Sequence, residues 1–254
     1  MMKVVVLIPT YNEIENIELL LERLIFLRRE NRKYEVEMLV VDDNSPDGTG
    51  RVVLEYSKKH KFIHLLSGKK EGLGRAMARG YKYAIGHMGA DVVLSNEADF
   101  AFDFEHFGYM LEKIEEGFDA VIGSRHVGIG KTEGWTTSRR FNHWVANYVF
   151  ATLLAGVREV YDHNGAFRAI RVRGVLEKID WDKMPVKGFA FFFYSLYELT
   201  KITDKIDEFP VVYTFRERGE SKVSFNPKYI RTYLRDISEY AALAAYVRAK
   251  KWGL

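Results

Sequence analysis

The sequence alternates short β-branched runs with longer stretches in which apolar residues recur every three or four positions. Runs with the composition of buried strands occupy residues 3–8, 36–41, 62–66, 91–95 and 119–122. The stretches between them, such as residues 13–27 and 107–114, have the spacing of amphipathic helices. Strands that alternate with helices form a mostly parallel sheet covered by helices, so the sequence predicts an α/β fold.

This fold class also predicts where a ligand would bind. In open α/β sheets, ligands bind beyond the carboxyl ends of the strands. The candidate functional residues are therefore the polar residues that directly follow the predicted strands. They are residues 9–13, Asp42 and Asp43, residues 96–99, and residues 123–125.

Composition excludes several classes of function. The chain of 254 residues has no cysteine, which excludes disulfides, thiolate metal sites and a cysteine nucleophile. The net charge is only +3, so the sequence gives no support for nucleic-acid binding through overall charge. No apolar stretch reaches the roughly 18 residues that a transmembrane helix requires. Attachment to a membrane surface stays open.

The C-terminal half is less regular than the N-terminal half. It predicts an apolar helix over residues 141–157, a strand over 166–170, an aromatic helix over 189–201, a strand over 209–213 and a long helix over 228–250. Repeats and a clear linker are absent from the sequence. We therefore expect one domain over residues 1–226 and a C-terminal amphipathic helix extension over residues 227–254.

Two carboxylates follow the strand predicted over residues 91–95. Glu97 and Asp99 are one residue apart and can present oxygen ligands to a hard divalent cation, Mg²⁺ or Mn²⁺. Such an ion stabilises charge that develops on a leaving diphosphate. An acidic surface loop is the alternative interpretation of the same residues.

The end of the strand predicted over residues 36–41 also carries acidic residues. Asp42 and Asp43 can accept hydrogen bonds from the base or ribose of a nucleotide, although the sequence that follows is rich in turn formers. Tyr11 could stack on the base and Glu13 could bind it. Alternatively, Glu13 is a first-turn helix charge, with Asn12 as the cap of that helix.

Cationic residues fall in two groups. Arg216, Arg218 and Lys222 surround a glycine in a segment suited to a loop that closes over phosphates. Arg125, Arg139 and Arg140 form a second group if the fold brings them together. An exposed charged loop is the alternative for the first group.

Taken in order, these segments resemble the family 2 nucleotide-sugar glycosyltransferases, and within that family the dolichyl-phosphate mannose synthases. The matching segments extend from about residue 8 to residue 222, which is most of the chain. They are Ile8-Pro9-Thr10-Tyr11-Asn12-Glu13, residues 41–49, Gly72-Leu73, Arg79-Gly80, the acidic triplet 97–99, Gly123-Ser124-Arg125, Gly188-Phe189, and residues 216–222.

The resemblance implies a GT-A fold and an inverting transfer of a sugar, mannose from GDP-mannose in our best assignment, to a polyprenyl or dolichyl phosphate. UDP-glucose is the alternative donor. By the same resemblance, Pro9, Tyr11, Glu13, Val41 and Asp43 hold the nucleotide, Glu97 and Asp99 hold the metal, Arg218 and Lys222 contact the diphosphate, and Arg125 and Arg139 bind the acceptor phosphate. Among these, Asp99, Arg125, Arg139 and Arg218 are the predicted catalytic residues.

The chain departs from the family pattern at several positions. The triplet is usually Asp-x-Asp followed two residues on by Gln, whereas here Glu97 and Asp99 are followed by Ala101. Ala190 stands where a lysine usually follows Gly-Phe. A non-catalytic nucleotide-sugar-binding subunit is therefore one alternative. The other is a soluble family 2 enzyme with a small-molecule or glycan acceptor, for which Asp162 and His163 are candidate general bases.

Two helices resemble the interfacial helices of the family. Trp144, Tyr148, Phe150 and Leu153 supply apolar area in one, and Tyr229, Ile230, Tyr233 and Leu234 do so in the other, beside Lys228, Arg231 and Arg235. We expect a peripheral protein on the cytoplasmic face of a membrane, with a homodimer or a small membrane-anchor protein as possible partners. Packing on the core is the alternative for both helices.

Overall fold

The computed structural model describes residues 1–100, 104–214, 230–251 and 253. Seven strands form the central sheet in the order β3-β2-β1-β4-β7-β5-β8. They are β1 (Lys3–Thr10), β2 (Glu35–Asp42), β3 (Ile63–Ser67), β4 (Val92–Ser95), β5 (Ala120–Ser124), β7 (Arg168–Arg171) and β8 (Ile206–Pro210). A separate pair contains β6 (Lys131–Thr132) and β9 (Val212–Tyr213).

The sheet is mostly parallel, as the sequence predicts. β1 pairs in parallel with β2 and β4, β2 with β3, and β5 with β8. Only β7 runs against its neighbours in this sheet, and it lies between β4 and β5. Because β7 is antiparallel, the segment that enters it lies at the same edge as the carboxyl ends of β4 and β5.

The described helices are α1 (Ile14–Glu30), α2 (Thr49–Lys59), α3 (Leu73–Gly86), α4 (Phe107–Glu115), α5 (Thr137–Trp144), α6 (Phe191–Thr200) and α7 (Ile230–Lys251). The strand and helix predictions for residues 1–124 are confirmed to within two residues at most ends. α1 buries Ile17, Leu20, Leu21 and Leu24 completely, which is the face that its helical periodicity predicts.

The start of α1 differs from the prediction. Asn12 has a positive φ of 54° and precedes the helix, and Glu13 occupies the cap position without a side-chain cap hydrogen bond. The free N–H groups are satisfied instead from the turn after β2, where Asp47 Oδ2 accepts from the Ile14 N–H at 3.0 Å and Thr49 Oγ1 from the Glu13 N–H at 3.0 Å. The two candidate nucleotide segments are thereby joined.

The helix predicted over residues 141–157 also differs in detail. It begins as α5, capped by Thr136, and continues from Val145 to Leu154 as a π-helical segment. Within it, Asn147 Nδ2 donates to the carbonyl of His143 at 3.0 Å, and Thr152 donates to the carbonyl of Asn147 at 3.0 Å. Side chains thus take part in the hydrogen bonding of this widened helix.

The strand predicted over residues 209–213 is wrong as a single element. It is divided into β8 and β9, which pair with different strands, because Val211 N–H donates to Ser124 while the next residues pair with β6. The chain leaves the central sheet at this point.

The C-terminal helix predicted over residues 228–250 is confirmed as α7, which packs against the π-helical segment. Among the α7 side chains that the structure describes, the buried apolar ones are Tyr240, Leu243, Ala244 and Val247. The predicted domain boundary at residue 226 lies outside the described residues. Across the described part of the chain, no helix is both long enough and apolar enough to cross a bilayer.

Glycines 72 and 188 explain how three distant segments meet. Gly72 has a φ of 112°, and a Cβ there would lie 2.4 Å from the carbonyl oxygen of Lys187. A Cβ on Gly188 would lie 2.6 Å from Asp236 Oδ1 in α7. Glu239 of α7 accepts from the Gly188 N–H at 2.8 Å. The start of α3, the loop before α6 and α7 are therefore in contact.

Candidate active site

The turn after β2 is organised by Asp42. This buried carboxylate accepts from Thr10 Oγ1 at 2.9 Å, from the Ser45 N–H at 2.9 Å and from Ser45 Oγ at 2.5 Å. Its hydrogen bonds are those of a turn, so the turn interpretation holds for Asp42. Of the two acidic residues, only Asp43 is therefore still predicted to bind the nucleotide.

Asp43 is buried and accepts from Arg79 Nη2 at 2.6 Å. Burial raises the pKa of the Asp43 carboxyl above its ordinary value, although the hydrogen bond from Arg79 acts in the opposite direction. Arg79 belongs to α3, so this ion pair links the β2 end to the Arg79-Gly80 motif. The sequence analysis identified residues 41–49 and Arg79-Gly80 as separate motifs and did not predict that they are in contact.

The other predicted nucleotide residues lie at the carboxyl end of β1. Pro9 stands opposite Val41 in the parallel register, and Val41 is fully buried. Lys70 Nζ lies 3.3 Å from the centre of the Tyr11 ring, a cation–π contact. Glu13 is buried and accepts from Asn16 Nδ2 at 2.9 Å. The fold therefore places all five residues at one edge of the sheet, as the sequence predicts.

Glu97 and Asp99 follow β4 at the same edge. Tyr213, from the second half of the chain, lies within range of their charges. Burial is the main cause that raises the pKa of the Tyr213 hydroxyl above its ordinary value, and the negative charges of Glu97 and Asp99 raise it further. The opposing charges that lower it are Arg139 and Arg125. Four predicted site residues thus act electrostatically on Tyr213, a residue that the sequence analysis did not identify.

Arg125 is held in a buried ion pair. Its Nε and Nη2 donate to the two carboxylate oxygens of Asp162 at 2.7 Å each. The backbone N–H of Arg125 donates to the same carboxylate at 3.0 Å. Although burial alone would raise it, the charge and hydrogen bonds of Arg125 hold the pKa of Asp162 far below its ordinary value. Asp162 comes from the segment that enters β7.

Asp162 and His163 are poor candidates for a general base. Asp162 is fully buried, and its oxygens accept from Arg125 and from the Asn164 N–H at 3.2 Å. Burial lowers the pKa of His163 to about 4, and its Nε2 lies 3.2 Å from the Val157 carbonyl oxygen. The geometry therefore opposes the alternative that uses them to deprotonate an acceptor hydroxyl.

Arg139 and Arg125 lie beside the same two aromatic rings, those of Trp135 and Tyr213. Its guanidinium carbon lies 4.5 Å from the centre of the Trp135 ring, and its Nη2 donates to Tyr213 Oη at 3.3 Å. The guanidinium carbon of Arg125 lies 5.7 Å and 5.4 Å from the centres of the Trp135 and Tyr213 rings. The two predicted acceptor arginines therefore share one aromatic wall. Arg140, the third member of the sequence group, is exposed.

A histidine pair that the sequence analysis missed lies beside these arginines. His126 Nε2 and His143 Nε2 are 2.9 Å apart, and their ring planes differ by 10°. Burial lowers the pKa of both, that of His143 to about 2, so one neutral ring donates to the other. The sequence feature that could have indicated this pair is proximity in the chain, since each histidine lies within four residues of a predicted acceptor arginine.

His126, His143 and Asp162 have the composition of a metal site, with one ligand atom each within 4.8 Å of one another. Their hydrogen bonds favour another assignment. Asp162 already receives donors at both oxygens, two from the Arg125 guanidinium and one from the Arg125 backbone N–H, and the guanidinium cation would repel a metal ion. We assign the pair as a structural link between α5 and the turn after β5.

Several predicted residues lie outside the described part of the chain. These are Arg216, Arg218 and Lys222 of the cationic loop, Ala101, and Lys228 and Tyr229 before α7. The side chains of Ile230, Arg231 and Tyr233 are likewise outside it.

A family model described as Glycosyl transferase family 2 matches residues 5–179. The chain belongs to this family. As a family 2 glycosyltransferase, it is similar to undecaprenyl-phosphate mannosyltransferase of Micrococcus luteus, with 35% identity over 224 residues that cover 88% of each protein. It is 36% identical to dolichol-phosphate mannosyltransferase of Pyrococcus furiosus over 236 residues, which cover 93% of this chain and 63% of that one.

Solved structures share the fold of this family 2 glycosyltransferase at low sequence identity. Glucosyl-3-phosphoglycerate synthase from Mycobacterium tuberculosis, in complex with Mn²⁺, UDP and phosphoglyceric acid, matches with a TM-score of 0.63 and 17% identity, over 94% of this chain and 78% of that one. A Pyrobaculum calidifontis mannosyltransferase in complex with GDP-mannose and Mn²⁺ matches with a TM-score of 0.56 and 17% identity, over 97% and 73%. The expected GT-A fold is confirmed.

Proposed function

We propose that this glycosyltransferase moves mannose from GDP-mannose to a polyprenyl phosphate, with inversion at the anomeric carbon. The observation that carries the proposal is the grouping at Tyr213: Arg139 donates to its hydroxyl, Arg125 lies 5.4 Å from its ring centre, and the charges of Glu97 and Asp99 act on the same phenol. An acceptor anion and a departing diphosphate would then meet at one place. The names of the relatives supply the sugar and the class of acceptor.

The nucleotide would bind along the carboxyl ends of β1 and β2. Pro9, Tyr11, Glu13, Val41 and Asp43 are the proposed contacts, with the Tyr11 ring already held by Lys70. Arg218 and Lys222 are the proposed contacts to the diphosphate from the cationic loop. Asp43 is positioned by Arg79, so the ion pair would orient its carboxylate before the nucleotide arrives.

Glu97 and Asp99 are suited to hold Mg²⁺ or Mn²⁺. They are oxygen donors on one short turn, and their charges act together on Tyr213. When bound, the ion supplies positive charge that neutralises the leaving nucleoside diphosphate.

Arg125 and Arg139 would hold the acceptor phosphate. A phosphate monoester is an anion at neutral pH, so one of its oxygens can attack the anomeric carbon while the bond to the diphosphate breaks, without a strong general base. The protein then has to align the two groups and stabilise charge. Asp162 fixes the plane of the Arg125 guanidinium, and the aromatic wall fixes Arg139.

A lipid acceptor requires a membrane surface, and the helices beside the arginines would provide the attachment. Phe141, Trp144, Tyr148 and Leu153 form what we call the aromatic surface, and they are 61%, 50%, 40% and 68% exposed. Phe150, predicted to join them, instead packs on Tyr240 of α7, with ring centres 6.4 Å apart. Leu234 of α7 is 58% exposed. We propose peripheral attachment at the cytoplasmic face.

The test is transfer itself. Purified protein incubated with radiolabelled GDP-mannose, Mn²⁺ and polyprenyl phosphate in liposomes is expected to yield labelled lipid. Asp99→Asn should lower kcat at least ~100-fold, because it removes a charged ligand of the diphosphate's counterion. Asp91→Asn is the matched control: Asp91 lies just before the same strand at the opposite edge, where it accepts from the Lys3 N–H at 2.7 Å.

Each alternative has its own outcome in this assay. Transfer from UDP-glucose but not from GDP-mannose would change the donor. Transfer to a soluble sugar acceptor in place of the lipid would overturn the acceptor assignment. Absence of transfer with every donor, together with nucleotide binding, would identify a non-catalytic subunit.

A further inference from the structure

Trp135 lies at the centre of the predicted acceptor site. Its ring contacts the guanidinium groups of Arg139 and Arg125 at 4.5 Å and 5.7 Å, and meets the rings of Tyr213 and His143 edge-on, with centres 5.1 Å apart in each case. Trp135 is only 8% exposed. The aromatic face stabilises both cations, and Arg125 is further neutralised by its ion pair with Asp162.

The indole N–H of Trp135 has no hydrogen-bond partner in the part of the chain that the structure describes. Its Nε1 is among the few buried side-chain nitrogen and oxygen atoms of the described residues that lack one. An unpaired buried donor costs about 1–3 kcal/mol, and such groups in folded proteins call for an explanation. A donor beside two guanidinium groups is explained if an anion completes its hydrogen bonding.

We propose that the Trp135 N–H is a third hydrogen-bond donor to the acceptor phosphate, beside Arg125 and Arg139. The identity of the ligand rests on the proposed function, whereas the site itself rests on the grouping of one unpaired donor and two cations. The indole N–H donates and never accepts, so it favours the anionic oxygen of a phosphate monoester. Its stiff ring would also orient the phosphate.

Trp181 provides a matched control. Its Nε1 is also buried and unpaired among the described residues, but its ring stacks in the core on Tyr81 and lies tilted against Phe191, with centres 4.9 Å and 5.8 Å apart. Trp181→Phe therefore removes an equivalent N–H away from the acceptor arginines. Any general effect of losing a buried indole will appear in both variants.

The kinetic test compares Trp135→Phe with Trp181→Phe and with wild type. Phenylalanine keeps an aromatic face for Arg139 and removes the donor together with part of the ring, a loss of buried volume that Trp181→Phe shares. Trp135→Phe is expected to raise KM for polyprenyl phosphate about tenfold, the effect of one charge-assisted hydrogen bond, and to leave KM for GDP-mannose unchanged. Unchanged KM values, or an equal change for both substrates, would overturn the proposal.

A binding test on the wild-type protein does not depend on transfer or on how the variant folds. Geranyl phosphate is titrated into ¹⁵N-labelled protein, and the indole N–H resonance of Trp135 is followed. It is expected to move to higher ppm, while that of Trp181 stays in place. An immobile Trp135 resonance, or one that moves with inorganic phosphate but not with geranyl phosphate, would refute the proposal. A moving resonance without transfer would refute the proposed function alone.

Discussion

Asp162 shows how a single residue can fix the position of a predicted binding residue, here Arg125. It receives three hydrogen bonds from Arg125, and the side chains of both residues are almost fully enclosed, at 5% exposed for Arg125 and 0% for Asp162. Removing one partner from such a pair leaves an unpaired buried charge, which is the costly outcome. The predicted acceptor arginine therefore depends on a carboxylate from another segment.

Asp162→Asn is expected to lower the free energy of unfolding by about 3–5 kcal/mol, because the Arg125 cation stays buried without its counter-charge. Asp182→Asn, which breaks the exposed ion pair with Lys82, should change it by less than ~1 kcal/mol. Urea unfolding of both variants measures the difference. Equal losses would show that the buried pair contributes no more than the exposed one.

At this scale, sequence reasoning found the ends of the strands and the charged residues that follow them. It did not find Trp135, Tyr213 or the His126–His143 pair. The reason is physical: their importance comes from contacts between segments far apart in the chain, and an aromatic residue in a loop has no distinctive local pattern. A carboxylate directly after a buried strand does have one, as Asp43 and Asp99 show.

Among the elements, α7 carries an unusual carboxylate. Asp236 faces Gly188, and the charged groups near it are Arg235, with Nη2 at 3.3 Å, and Glu239. Burial raises the pKa of Asp236 to about 6. The folded protein therefore holds this proton more tightly than the unfolded chain does, and stability falls as pH rises from about 4 through about 6.

Asp236→Asn should remove the loss of stability that accompanies ionisation of Asp236 as the pH rises. At pH 7 the variant is expected to be more stable than wild type by about 1–3 kcal/mol, and the difference should shrink to near zero at pH 4, where wild-type Asp236 is protonated. Urea unfolding at several pH values measures it. A difference that does not change with pH would contradict the assignment to Asp236 ionisation.

The regular elements of the first half could be predicted because each has one clear period and an end marked by glycine, proline or an acidic residue. The second half lacks this agreement. The π-helical segment depends on side-chain hydrogen bonds of Asn147 and Thr152, and the division of residues 206–213 into two strands depends on which neighbour each pairs with. Neither cause is visible in local hydrophobic spacing.

On the scale of the whole molecule, the aromatic surface is the feature that the folded core does not use. Phe141 and Trp144, and Trp144 and Tyr148, lie with ring centres 6.2 Å apart in each pair, so they form a continuous exposed row. The row is adjacent to Arg139 on α5. A lipid whose phosphate reaches Arg139 would pass close to it.

Replacing Phe141 and Trp144 together by serine is expected to reduce binding to anionic liposomes at least about tenfold, because each ring contributes apolar area to the bilayer interface. Phe26→Ser is the control, since Phe26 is 62% exposed on α1 and outside the row. Liposome co-sedimentation provides the measurement. Equal binding by the double variant and wild type would exclude the row as the attachment surface.

The position of β7 between β4 and β5 has a consequence for the distance between the proposed donor and acceptor sites. Since neighbouring strands are about 4.8 Å apart, β7 sets the end of β4 about 10 Å from the end of β5. A hexose ring is narrower than this gap, so it leaves room for one sugar between a diphosphate proposed to bind beside Glu97 and Asp99 and an anion proposed to bind beside Arg125. The intervening strand would thus set the spacing of the two proposed sites, and the loop that leads into it brings Asp162 to Arg125.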